Sequence, residues 1–280
     1  AGNTFILKPS EQTPLSGMRL AEYLKEAGLP DGVFNVVNGA KTIVESLCDH
    51  PDIKALAFVG SSSVAKIVYT RCSQNSKRSI CLGGAKNHMI VVPDADKDST
   101  AKGLLASSMG SAGQRCMAAS VAVGVSDIDH IIEQLIEEAK NFKLGVDMGT
   151  IISKDALNRI NGYIDEAEKM GAKVLVDGRN MNPPDDYKDG HWLGATILDN
   201  VDPEWPSAKE EIFGPVLSII RADTIEDAMK IENDNPYGNA AAVFTTSGQI
   251  AKVVSEKASA GMIGVNIGVP VPRDPYSFGG

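Results

Sequence analysis

The feature that most constrains this chain is a repeated alternation of short apolar runs and segments with helical apolar spacing. Phe5 to Leu7 is an apolar run that stops at Lys8-Pro9 and reads as a strand. Pro14 to Ala27 reads as a helix with Leu15, Met18, Ala21 and Leu24 on one face, Thr13 as its expected cap and Pro14 as its first residue. A turn at Gly28–Gly32 leads to a strand at Val33–Val37, a short helix at Thr42–Cys48 and a strand at Ala55–Val59. Ser61 to Asn75 then reads as a helix and Met89–Val92 as a strand. The second half repeats the style. Helices are predicted near Thr100–Ser108, His130–Asn141, Lys154–Met170, Ile225–Glu232 and Ile250–Lys257. Strands are predicted at Val121–Val125, Lys173–Val176, Leu217–Ile220, Ala241–Phe244 and Met262–Val265, and Gly178–Gly190 is expected to be a surface loop. Short links between alternating strands and helices favour an α/β chain with a mostly parallel, helix-covered sheet.

Length and charge narrow the function classes. At about 150 residues per domain, 280 residues suggest two domains. Acidic residues number 36 against 27 basic ones, a net charge of -9, which argues against nucleic acid as the main partner. No run of about 18 apolar residues is present to span a membrane. The four cysteines show no CxxC spacing and the four histidines no HExxH group, so no metal site is expected and a reducing compartment is the simpler reading. The chain opens Ala1-Gly2-Asn3 without an initiator Met and stops at Phe278-Gly279-Gly280, so both ends read as cut from something longer.

Four places carry chemistry. Gly60-Ser61 follows the strand at Ala55–Val59 and opens a helix, a setting in which backbone N–H groups can hold a phosphate; an ordinary glycine turn with a serine cap fits the same residues. Lys8 and Glu11 follow the end of the first strand, the edge where open α/β sheets bind ligands, and a lysine there can pair with a ribose or phosphate or simply face solvent. Cys116 follows Gly110-Ser111-Ala112-Gly113-Gln114-Arg115; small residues and a cationic neighbour favour a reactive thiolate, against the alternative of a small core residue. Glu211 and Phe213, in Glu211-Ile212-Phe213-Gly214-Pro215, pair an acid able to accept ribose hydroxyls with an aromatic able to pack on a flat ring. Cys48, Cys72 and Cys81 sit in helix or strand settings and read as structural.

In this order, these segments closely resemble the aldehyde dehydrogenase superfamily. The likeness includes Leu7-Lys8-Pro9-Ser10-Glu11-Gln12-Thr13-Pro14, Glu26-Ala27-Gly28-Leu29-Pro30-Asp31-Gly32-Val33-Phe34-Asn35, Phe58-Val59-Gly60-Ser61, Gly113-Gln114-Arg115-Cys116, Ile212-Phe213-Gly214-Pro215-Val216 and Asn235-Pro236-Tyr237-Gly238. The resemblance implies that Cys116 is the nucleophile and that Lys8 and Glu11 surround the adenosine ribose of NAD. It places Gly60 and Ser61 at the pyrophosphate turn, Glu211 near the nicotinamide ribose and Phe213 beside that end of the cofactor. It further implies a partial Rossmann-type nucleotide-binding domain over about 1–87, a catalytic domain over about 88–270 and, at 271–280, the start of a return toward an oligomerisation segment.

One departure points to a branch. Most of these dehydrogenases carry Glu-Leu-Gly-Gly-Lys after the Gly-Ser turn, and the Glu activates water to hydrolyse the enzyme-bound thioester. Aligning the lysine on Lys86 puts Leu82 at that Glu, and no acid occurs from Ser79 to Val92. Methylmalonate-semialdehyde dehydrogenases omit this Glu and pass the acyl group to coenzyme A. They resemble this chain in Gly84-Ala85-Lys86-Asn87-His88, Pro93-Asp94-Ala95-Asp96-Lys97 and Gly113-Gln114-Arg115-Cys116-Met117-Ala118. In that branch Arg115 would help bind the carboxylate of a small semialdehyde, which suits a planar guanidinium; a structural salt bridge is the other role open to it. The resemblance implies NAD as cofactor, coenzyme A as co-substrate, malonate or methylmalonate semialdehyde as substrate and a homodimer or homotetramer of the full-length protein. It implies a mitochondrial matrix location and a place in valine catabolism in a eukaryote, and the cytoplasm in a bacterium. A hydrolytic aldehyde dehydrogenase and an inactive binding or structural homologue are the alternatives. Ala65, where a second glycine is usual after the Gly-Ser turn, is expected to crowd the pyrophosphate.

Overall fold

The computed structural model describes residues 2–271, and beyond residue 271 the expected return segment at 271–280 lies outside the described residues. The chain divides into two compact units, Ala1–Gly83 and Gly84–Gly280.

The first unit contains β1 (Phe5–Leu7), α1 (Leu15–Glu26), β2 (Phe34–Val36), α2 (Lys41–Asp49), β3 (Ala55–Val59), α3 (Ser62–Gln74) and β4 (Arg78–Leu82). The strands pair in parallel, β1 with β2 and β3 with β4. Phe5 lies opposite Phe34, their rings stacked at 5.7 Å. The expected start of α1 is corrected: Pro14, not Thr13, occupies the cap position, and no side chain caps the helix. Strand β4 escapes a sequence reading because Arg78 and Ser79 open it, and its extended form comes from its pairing with β3. A small core joins Cys48 of α2 to Val68 and Cys72 of α3, with Leu56, Phe58 and Cys81 packed on it.

The second unit is built on one seven-stranded sheet. Its elements are β5 (Asn87–Val91), α4 (Lys97–Met109), β6 (Ala119–Val125), α5 (Asp129–Lys140), α6 (Lys154–Met170), β7 (Lys173–Val176) and β8 (Thr196–Asp199). They continue with α7 (Pro206–Lys209), β9 (Val216–Ala222), α8 (Ile225–Asn233), β10 (Ala240–Phe244), α9 (Gly248–Lys257) and β11 (Met262–Val265). Strand order is β11-β10-β5-β6-β9-β8-β7, parallel throughout except where β7 meets β8. Strands β5 and β10 are buried along their whole length, as expected of central strands covered on both faces. The helices carry their own stop and start chemistry. Asp96, Ser153, Thr224 and Ser247 each accept a backbone N–H at the N-terminus of α4, α6, α8 and α9, and Gly171 closes α6 at φ 113°. The mostly parallel α/β sheet expected from the alternation is thus present.

Three details differ from expectation. Gly84 to Asn87 fall in the second compact unit, because Asn87 already opens its central strand. Strand β8 and helix α7 are each four residues long, too short for any periodicity to show. The loop at Gly178–Gly190 contains two 3-10 turns, and Gly178 itself is buried, since a Cβ there would meet the Gly194 carbonyl at 2.0 Å.

Candidate active site

Cys116 is placed by a sharp reversal. Helix α4 ends at Met109, and Ser111, Ala112 and Gly113 follow with φ of 54°, 54° and 65°. Successive left-handed residues turn the chain back toward β6. Arg115 locks the turn, since its Nη2 donates to the Ala106 and Ser107 carbonyls at 2.8 and 3.2 Å. The Ala106 carbonyl also accepts the Gly110 N–H that closes α4, so Arg115 reinforces the helix end. Among the described residues the buried Arg115 Nε has no hydrogen-bond partner. Gln114 ties the same turn to a neighbouring segment: it donates to the Thr150 carbonyl at 3.1 Å and accepts from the Ile152 N–H at 2.9 Å.

The carbonyl of Cys116 accepts two side-chain amides, Asn87 Nδ2 at 2.8 Å and Asn239 Nδ2 at 2.9 Å. Cys116 itself is half-buried against the core of the unit.

Glu211 and Phe213 lie on a segment that meets this turn. A Cβ on Gly113 would sit 2.0 Å from the Gly214 carbonyl, so the cysteine turn and the Glu211–Pro215 segment are in direct backbone contact. Phe213 adopts φ 53°, unusual for a bulky residue, and stays 39% exposed. Glu211 Oε1 accepts the Ala85 N–H at 3.0 Å. Burial raises the Glu211 carboxyl above its ordinary value, opposed by that N–H and then by the charge of Lys86. Lys86 is buried and donates to the Ser207 carbonyl at 2.8 Å. Burial pulls its amine down to about 7, with Glu211 and Glu210 resisting the change.

The adjoining His88 is buried as well, and its Nδ1 lies 2.9 Å from the Lys86 carbonyl. That contact suits a neutral ring donating from Nδ1. Burial lowers His88 from 6.5 to about 4. An unfolded chain therefore binds more protons than the folded one between those values, and stability is lost as pH falls from about 6.5 through about 4. The loss should approach about 3 kcal/mol. Urea denaturation at neutral pH and near pH 4.5 measures it, and His88→Gln should flatten the difference. An equally steep acid loss in His88→Gln would show that other groups drive it.

In the first unit, Lys8 and Glu11 do come together. Lys8 Nζ lies 3.1 Å from Glu11 Oε2 and donates to the Gly39 carbonyl at 2.7 Å. The Glu11 carboxyl is held below its usual range by its own backbone N–H and then by Lys8. Gly60 donates to the Leu82 carbonyl at 3.2 Å, so its N–H serves the β3–β4 pairing. A Cβ on Gly60 would meet the Phe58 ring at 2.6 Å. Ser61 sits at the cap position of α3, but its hydroxyl faces the Ser63 hydroxyl at 3.3 Å and bonds no backbone N–H as a cap. Ala65 is buried in α3.

Asn239, which meets Cys116 from the start of β10, was not visible as a site residue. It is 123 residues away in sequence, and the adjacent turn residues Asn235 to Gly238 carry the only local signal.

Comparison with known proteins agrees with this geometry. The chain matches the model of the aldehyde dehydrogenase family over residues 1–280. It is 44% identical over 287 residues to the malonate-semialdehyde dehydrogenase of Pseudomonas aeruginosa, with 100% of this chain and 58% of that protein covered. It is 44% identical over 285 residues to the acylating mitochondrial methylmalonate-semialdehyde/malonate-semialdehyde dehydrogenase of Rattus norvegicus, covering 100% of this chain and 53% of that protein. Among solved structures, methylmalonate-semialdehyde dehydrogenase from Oceanimonas doudoroffii superposes with a TM-score of 0.96 at 44% identity, covering 99% of this chain and 58% of that one. Betaine aldehyde dehydrogenase from Staphylococcus aureus, in complex with NAD+, gives 0.91 at 30% identity, covering 99% and 56%. The chain thus spans a little over half the length of the relatives it matches. With a cysteine turn braced on a Glu-Ile-Phe-Gly-Pro segment and a family match along its whole length, the chain belongs to the aldehyde dehydrogenase family.

Proposed function

We propose that the protein carrying this chain oxidises malonate or methylmalonate semialdehyde and transfers the acyl group to coenzyme A through a thioester on Cys116. The observation that carries this reading is a braced cysteine with no water-activating acid in the expected segment: Leu82 ends β4, and no carboxylate occurs from Ser79 to Val92. The names of the relatives, one of them acylating, support it.

The residues present fit NAD. In the first unit, the Lys8 ammonium beside the Glu11 carboxylate offers a donor and an acceptor for a ribose diol, and the Gly60-Ser61 turn offers the pyrophosphate a backbone without a Cβ at Gly60. In the second unit, Glu211 engages Ala85 through Oε1, which leaves Oε2 for a ribose hydroxyl, and Phe213 is an exposed aromatic on the same segment. When bound, NAD supplies the hydride acceptor.

Cys116 attacks the aldehyde carbon through Sγ, and the oxyanion needs N–H donors, of which the Cys116 N–H is one. Arg115, next to the nucleophile and half-buried, supplies the guanidinium that this reading assigns to the substrate carboxylate. After oxidation the acyl group is held as a thioester on Sγ. Leucine at position 82 cannot take a proton from water, so the thiol of coenzyme A releases the acyl group instead. The bond from the α-carbon to the substrate carboxylate breaks with release of carbon dioxide or bicarbonate, and the electron pair left on the α-carbon takes up a proton from solvent.

The test is NADH formation by the full-length protein with and without coenzyme A. Without it, a burst of about one equivalent per active site should be followed by turnover slowed at least about tenfold. Sustained turnover to free acid without coenzyme A would favour a hydrolytic dehydrogenase. Complete inactivity would favour a binding or structural homologue.

A further inference from the structure

Both peptide planes that flank Cys116 are held. The Arg115 carbonyl, on one side, accepts the Ala118 N–H at 2.9 Å. The Cys116 carbonyl, on the other, accepts Asn87 Nδ2 at 2.8 Å and Asn239 Nδ2 at 2.9 Å. With both planes held, the backbone dihedrals of Cys116 are set, and with them the direction of its N–H and of its Cα–Cβ bond. Only rotation about χ1 remains to aim the sulfur.

The two amides are not equivalent. Asn87 makes a complete set of bonds. Its Nδ2 also reaches the Ala118 carbonyl at 2.8 Å, and its Oδ1 accepts the Ala240 N–H at 3.1 Å. It joins β5, β10 and the cysteine turn and has an evident structural role. Asn239 is 2% exposed, and its Nδ2 meets only the Cys116 carbonyl and Met117 Sδ, the latter at 3.2 Å. Among the described residues its buried Oδ1 has no hydrogen-bond partner. Turning the amide over would set Oδ1 against the Cys116 carbonyl, acceptor against acceptor, so the orientation follows from chemistry. An unpaired buried acceptor disfavours the folded state, and an apolar residue of similar volume would remove it. Nor does the Cys116 carbonyl need Asn239 to be satisfied, since Asn87 already bonds it. Stability alone gives no reason for an amide at 239.

We propose that Asn239 is a positioning residue for the nucleophile: its amide is the second jaw of a clamp on the Cys116 carbonyl that aims the N–H and Sγ at the substrate carbonyl. This rests on the reading of Cys116 as the nucleophile. Small misplacement of a reacting group is costly in rate even where the fold is unchanged.

The experiment uses the full-length protein as wild type, Asn239→Leu, Asn239→Ala and Cys116→Ala. Three quantities are read: the rate of the NADH burst with malonate semialdehyde, the KM for NAD and the midpoint of thermal unfolding. The clamp predicts a burst rate lowered about tenfold or more in both Asn239 variants, with KM for NAD within about twofold and the Asn239→Leu midpoint unchanged or raised. Burst rates within about twofold of wild type would overturn it. So would failure of both variants to fold, which assigns Asn239 to structure. A wild type without a burst, or a burst that survives in Cys116→Ala, overturns the nucleophile reading itself and the clamp with it; wild-type activity lost in Cys116→Ala but kept in the Asn239 variants overturns the clamp alone.

Discussion

Replacing Cys116 by alanine in the full-length protein should lower NADH formation at least about a thousandfold while leaving the fold intact. On the proposed mechanism Cys116 forms the covalent bond from which the rest of the reaction proceeds, so its loss would remove a step and leave nothing to slow. The side chain is only half-buried, and trimming it to alanine leaves the backbone bonds of its turn in place. The other cysteines are poor substitutes. Cys48 and Cys72 are buried in the small core of the first unit. Burial raises the Cys48 thiol and the Cys81 thiol above their ordinary value, away from thiolate. Steady-state NADH absorbance, with a urea denaturation curve as the control for folding, makes the measurement. Activity within about tenfold of wild type would place the reacting group elsewhere.

The second large effect is on stability. Gly113→Ala should destabilise the protein by about 2–4 kcal/mol and cost activity through the same turn. Two penalties act together. The residue holds φ 65°, where a Cβ is disfavoured, and that Cβ would lie 2.0 Å from the Gly214 carbonyl. Backbone cannot rotate away as a side chain can, so the cysteine turn and the Glu211–Pro215 segment must part. Gly149 is a suitable control, because an added Cβ there has nothing within 4 Å. Gly149→Ala should stay within about 0.5 kcal/mol of wild type. Equal denaturation midpoints for Gly113→Ala and Gly149→Ala would contradict the contact.

Much of the architecture is local and was therefore legible. Helix α6 shows it best: Leu157, Ile160, Ile164 and Ala167 recur at helical spacing and are the residues that become buried. Its cap at Ser153 and its stop at Gly171 are also written in the chain. Strand β4 shows the opposite case, since its extended form depends on β3. Gly60 is intermediate. The residue was conspicuous as a turn that lets a backbone come close, but that its own N–H is engaged by the Leu82 carbonyl depends on a partner that only strand pairing supplies.

The family resemblance gave Arg115 its carboxylate role and marked Leu82 as a missing acid, while residue chemistry by itself named Cys116, Lys8, Glu11, Gly60, Ser61, Glu211 and Phe213 as candidates beside ordinary structural readings. Those are statements about side-chain type in a short window, and a short window is enough to make them. Tertiary structure decided which groups are actually coupled. It turned Arg115 onto the end of α4, buried Lys86 and His88 so that their protons become hard to hold, and set Gly113 against Gly214. It also brought Asn87 and Asn239 onto one carbonyl from 29 and 123 residues away. Hydrogen bonds and burial depend on distances in space, and no sequence window contains them.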